Sequence, residues 1–171
     1  MSTTHPFKTI LLCACLCLSL AALAQQPGPR LAKKEPVMTR HAEGTFEVKM
    51  SPPGTDDATT GTAIARFGID KQFHGDLEGA SKGLMLSAGD PAKGNAGYVA
   101  MEQITGTLAG HTGSFALQHS GLMENGGYKL TVTVVPGSGT GELTGIMGAM
   151  TIVIANGKHS YTLEYTLPSA L

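Results

Sequence analysis

Hydrophobic and polar residues alternate with a period of two along most of this chain. The clearest run is residues 128–135, where Tyr128, Leu130, Val132 and Val134 take turns with Lys129, Thr131 and Thr133. A strand sends successive side chains to opposite faces, so this pattern predicts a strand with one buried face. Residues 44–50 repeat it, with Phe46, Val48 and Met50 on one side and Thr45, Glu47 and Lys49 on the other. Further strands are predicted over residues 61–70, 73–79, 84–88, 98–105 and 114–119. Residues 150–155 and 160–167 read as a closing hairpin, because Asn156-Gly157 supplies the positive φ angles that a two-residue turn needs. Residues 51–60 (SPPGTDDATT) and 89–97 (GDPAKGNAG) are loops by composition. Residues 136–148 (PGSGTGELTGIMG) are too rich in glycine for a long helix, leaving a loop with room for one helical turn.

Eight or nine largely sequential strands, and no helical period long enough to cover a sheet, predict an all-β fold. A closed antiparallel β-barrel of about eight strands suits the count and removes exposed edges. A two-sheet sandwich is the alternative. Helix is expected in under about 10% of the domain.

The first 24 residues stand apart from this pattern. Lys8 precedes an apolar or small run over residues 9–24 (TILLCACLCLSLAALA), and Ala22-Leu23-Ala24 offers small residues for cleavage. We expect a signal peptide over 1–24 and an exported product, periplasmic or secreted. The run is shorter than the roughly 20 residues that span a bilayer. Residues 25–38 hold Pro27, Pro29 and Pro36 with Arg30, Lys33 and Lys34, and read as a flexible linker. A single domain is expected over 39–168. Cys13, Cys15 and Cys17 all fall in the leader, so the domain has no thiol for a disulfide, a metal or a nucleophile.

Composition narrows the partners. Without Lys8, 11 basic residues face 13 acidic ones, and they form no stripe. Neither a nucleic acid nor an anionic membrane surface is indicated. Trp is absent and aromatics are 5%, which argues against stacking platforms for bases or sugars. The 23 glycines, dispersed through the domain, fit many turns and close backbone approaches.

Reactive side chains are densest over residues 98–119. Glu102 shares a face with Tyr98, Ala100, Ile104 and Leu108, and a carboxylate in such a row needs a buried partner or a raised pKa. It is a candidate general acid or base, with Tyr98 beside it, or a ligand-binding group. A structural pairing with Arg66, across the sheet, is the competing expectation. His119 follows Phe115 and Leu117 on one face and is a candidate at a barrel mouth, with Gln118 facing away. Tyr98, Glu102, His119 and Arg66 are therefore the ligand-binding candidates. His74, Asp76 and Glu78 alternate on one side of FHGDLEG; as metal ligands they compete with a plain solvated face, and no tight metal-binding spacing is present. Residues 136–145 lack the lysine of a phosphate-binding loop, and the serines near His119 lack a nucleophile elbow. No cofactor or metal is called for. Met85, Met101, Met123, Met147 and Met150 are expected to fill core gaps.

Three blocks carry a resemblance: FHGDLEG (residues 73–79), YVAMEQITGTLAGHTGSFALQHSG (98–121) and VVPGSGTGELTGIMG (134–148). In order and content they resemble the bacterial domain-of-unknown-function family 3224, over nearly all of residues 39–168. Such proteins look like the allene-oxide-cyclase barrel, an eight-stranded antiparallel barrel shaped like that of dirigent proteins. One departure is His111, where the GxxGSF segment is expected to carry an arginine. The resemblance implies the fold; it also brings a cyclase or isomerase activity into consideration, with Glu102 stabilising charge, and the dimers or trimers common among related barrels. Beside these stand a module binding a small apolar or amphiphilic molecule in the barrel, which the sequence favours, and a ligand-free barrel that serves structure or homo-oligomer formation.

Overall fold

In a computed structural model, which describes residues 38–51 and 64–168, one antiparallel sheet curls until its first and last strands meet. The leader and most of the linker expected over 1–24 and 25–38 lie outside the described residues, as do positions 61–63 of the second expected strand. The strands are β1 (Arg40–Met50), β2 (Ala65–Gly75), β3 (Leu77–Asp90), β4 (Asn95–Leu108), β5 (His111–Glu124), β6 (Gly127–Val134), β7 (Thr140–Gly141), β8 (Met147–Ala155) and β9 (Lys158–Thr166). Neighbours pair in chain order from β1 to β6. Strand β6 then meets β8, β8 pairs with β9, and β9 closes on β1. Eight strands thus form the ring, and the two-residue β7 extends the edge of β5 beyond the end of β6. The sandwich alternative is excluded. Helix is confined among the described residues to one 3₁₀ turn, Pro91–Lys93.

Two expected boundaries shift for a physical reason. The segment 73–79 is a hairpin corner rather than a strand: β2 runs on through Phe73 to Gly75, and β3 starts at Leu77. Gly75 takes φ +108°, a conformation glycine reaches without a Cβ penalty. The Asp76 carboxylate caps the corner by accepting from the Glu43 N–H at 3.0 Å. Strand β3 then continues through residues 80–83, which lack an apolar alternation but pair throughout with β2 and β4.

Side chains pointing inward divide the barrel into two halves. At the end where β2 turns into β3, Phe73, Leu77, Ile104, Leu108, Phe115 and Leu163 are fully buried. The 136–148 loop closes that end by inserting Leu143 and Ile146, 1% and 0% exposed. Backbone bonds to Thr140, Gly141 and Leu143 carbonyls shape it, and Glu142 accepts from the Thr112 N–H at 2.7 Å. The opposite half holds Val48, Met50, Ile69, Met85, Leu130, Ile152 and Ile154 on its inner wall, and these described side chains leave a cavity between them.

Candidate functional site

Period two puts Lys71 on the inner row of β2 between Ile69 and Phe73, Ser81 on that of β3, Glu102 on that of β4 and His119 on that of β5. Register brings them together across adjacent strands: Lys71 pairs with Ser81, Ser81 with Ile104, and His119 with Ala100. The result is a polar layer at mid-barrel. Lys71 is 6% exposed, Ser81 2%, Glu102 1% and His119 3%.

Glu102 is the hub. Lys71 Nζ donates to its Oε2 at 2.6 Å, and Ser81 Oγ donates to its Oε1 at 2.5 Å. His119 Nε2 lies 3.0 Å from the same Oε2, yet its N–H is not aligned along that line, so the contact is electrostatic rather than a well-directed hydrogen bond. Burial on its own would raise the Glu102 pKa, but His119, then Lys71 and Ser81, outweigh it and hold the carboxyl at about 2. It is a fixed anion at neutral pH. Lys71 Nζ also sits 4.7 Å from the ring centroid of Phe46, a cation–π contact on its cavity side.

Above this layer the lumen opens into a cavity of about 340 Å³. Its walls are the apolar side chains of the unfilled half together with Phe46, and its floor is formed by Lys71 and His119. Tyr98 projects into it, hydroxyl 3.2 Å from that of Tyr128. The paired phenols stand between this cavity and a smaller one of about 220 Å³. Burial pushes the Tyr98 phenol up, with Tyr128 adding to it. Gly121 makes the ring's position feasible: a Cβ there would fall 2.1 Å from Tyr98 Cε1.

Of the residues singled out from sequence, Tyr98, Glu102 and His119 are gathered on one inner surface, and Arg66 is not among them. Arg66 is exposed on the outer face beside Leu84, Leu86 and Val99, so the cation expected from it is supplied by Lys71 instead. Gln118 is exposed, on the face opposite to His119. His74 sits at the corner between two carboxylates, Nδ1 3.1 Å from Glu78 and Nε2 3.2 Å from Glu47, which occupies both ring nitrogens. Those carboxylates, Glu78 foremost, raise its pKa. Among the described residues no group of three or more His, Cys, Asp or Glu side chains is arranged to hold a metal ion. His111 Nε2 accepts from Arg40 at 3.3 Å, at the closed end and away from the cavity.

Lys71 and Ser81 were not singled out from sequence. Extending the β2 alternation past Asp70 would have put Lys71 on the row of Ile69 and Phe73. Ser81 offers no such signal.

A family model described as "Protein of unknown function (DUF3224)" matches residues 42–165. Among solved structures, a protein of unknown function from the same family of Shewanella oneidensis MR-1 is 44% identical. That match covers 78% of this chain and 100% of the other, with a TM-score of 0.70. No curated protein matches.

Proposed function

The chain belongs to the DUF3224 family of proteins of unknown function, and on that premise we propose from its site that it binds a small amphiphilic molecule in the open half of the barrel. The observation that carries this is an apolar cavity of about 340 Å³ ending on a buried polar floor. Concave, mostly apolar pockets with a few convergent polar groups are the usual form of a small-molecule site. A wholly filled barrel would leave no reason to keep Lys71 and Glu102 inside, where apolar residues of the same volume serve stability as well or better. A cyclase or isomerase using Glu102 as an acid has less support, because a carboxyl held at about 2 carries no proton to donate at neutral pH. The leader-like run of residues 9–24 supports an exported site of action.

The test compares thermal shifts over an apolar ligand library for the wild type and for Leu130→Trp, which fills the lumen from β6. A ligand at a hundred times its Kd stabilises by about 2.7 kcal/mol. Stabilisation of the wild type alone supports lumen binding. Equal shifts in both proteins, or none in either, would overturn it. Native mass spectrometry of protein purified from its source checks for a co-purified molecule.

A further inference from the structure

Among the described residues, the polar side chains lining the cavity are Lys71, Tyr98, His119, Tyr128 and His159, and no carboxylate is one of them. Glu102 lies behind Lys71 and His119 with its side chain 0% exposed. An ammonium brings three N–H donors. Lys71 uses one on Glu102, while its remaining side faces the Phe46 ring, which attracts a cation but offers no lone pair in the plane. His119 Nε2 has no well-directed partner among the described residues. The Glu102 anion 3.0 Å away favours the ring proton on that nitrogen. Ser81 donates to the other carboxylate oxygen, also away from the cavity. Towards the cavity the described floor therefore presents N–H donors of Lys71 and His119 and no carboxylate.

The Lys71 cation is itself matched by Glu102 at 2.6 Å. A ligand carboxylate would place a second anion beside Glu102 against an apolar wall, with one lysine shared between two negative charges. A ligand ammonium would face Lys71 as a like charge, with no carboxylate among the described lining residues to receive it. An alcohol could accept from the floor, but its own O–H would be left without a partner there.

From these cavity-facing donors and the pairing of Lys71 with Glu102 we infer that the lumen takes an apolar molecule ending in a neutral carbonyl (a ketone, aldehyde or ester) whose oxygen is seated against Lys71 and His119. The inference rests on the lumen-binding reading above and adds the chemistry of the head group.

The experiment titrates the purified protein with a methyl ketone, a carboxylate, a primary alcohol, a primary amine and a hydrocarbon of one chain length. The infrared carbonyl band of the bound ketone is recorded alongside. The ketone is expected to bind about tenfold or more tighter than the hydrocarbon, as one charge-assisted hydrogen bond provides, and its C=O band to move to lower wavenumber. Because Lys71→Met alone strands Glu102 and threatens the fold, the control is Lys71→Met with Glu102→Gln. In that variant the hydrocarbon should bind as before, while the ketone's advantage and band shift fall to what His119 alone supplies. A carboxylate binding as tightly as the ketone, or all five binding alike, would overturn the head-group inference and leave lumen binding standing. Failure of all five to bind would overturn both.

Discussion

Lys71→Met removes the cation from the buried pair and leaves the Glu102 charge in place. The two side chains are 7% and 0% exposed, with Nζ and Oε2 2.6 Å apart. Breaking a buried ion pair by deleting one partner costs roughly 3–5 kcal/mol, because the remaining charge has lost its hydration and its counter-ion. Ser81 and His119 stay in contact with the carboxylate, so we expect the lower end, about 3 kcal/mol, against a total stability of about 5–15 kcal/mol for a domain. Glu102→Gln should cost a similar amount by stranding Lys71. The double variant, with neutral groups of similar shape, should fall within about 1 kcal/mol of wild type, giving a coupling energy of about 5 kcal/mol. Urea unfolding followed by circular dichroism measures all four proteins, with unchanged m values required for the comparison. A Lys71→Met cost under about 1 kcal/mol, or additive single-variant costs, would refute the claim that these side chains form one buried electrostatic unit.

Three further outcomes follow from the same geometry. Glu102 is held at about 2 against an ordinary value of 4.5, which corresponds to about 3 kcal/mol of stability. Because the folded-state value is the lower one, that stability is full above pH 4.5 and drains as pH falls towards 2; unfolding titrations should show this loss in the wild type and not in Glu102→Gln. Tyr161→Phe deletes the hydroxyl that accepts from the buried Leu77 N–H at 2.9 Å. An orphaned buried donor costs about 1–3 kcal/mol, and denaturant midpoints would register it. Gly121→Ala drives a methyl into the Tyr98 ring; overpacking of this kind costs about 1–3 kcal/mol, and the displaced ring should shift the Tyr128 resonances in NMR spectra.

The barrel was legible because alternation with a period of two recurs in nearly every strand, and closure is the way such a set of strands disposes of its edges. The site was legible only in part, for reasons that lie in particular residues. Glu102 and His119 announce themselves as polar interruptions of the rows Ala100–Ile104 and Phe115–Leu117. Lys71 does not, because lysine is common on exposed faces and Asp70, Lys71 and Gln72 together read as the polar end of a strand. What turns Lys71 inward is the continuation of the β2 pairing to Phe73, which is tertiary information. Arg66 shows the converse: its row, with Ile64, faces out, where long cations are ordinarily solvated. The open half was hidden for another reason. Whether a barrel is filled depends on the summed volume of side chains from eight strands and on the 136–148 loop, which inserts Leu143 and Ile146 at one end, with nothing comparable among the described residues at the other.

Methyl NMR under xenon pressure bears most directly on the lumen, since xenon enters apolar cavities regardless of head-group chemistry. The structure predicts saturable shifts at the methyls of Met85, Leu130 and Ile152, with Leu84, Leu86, Val99 and Met101 on the outer face unmoved. Shifts confined to that outer face, or none at the inner three, would contradict an open half-barrel.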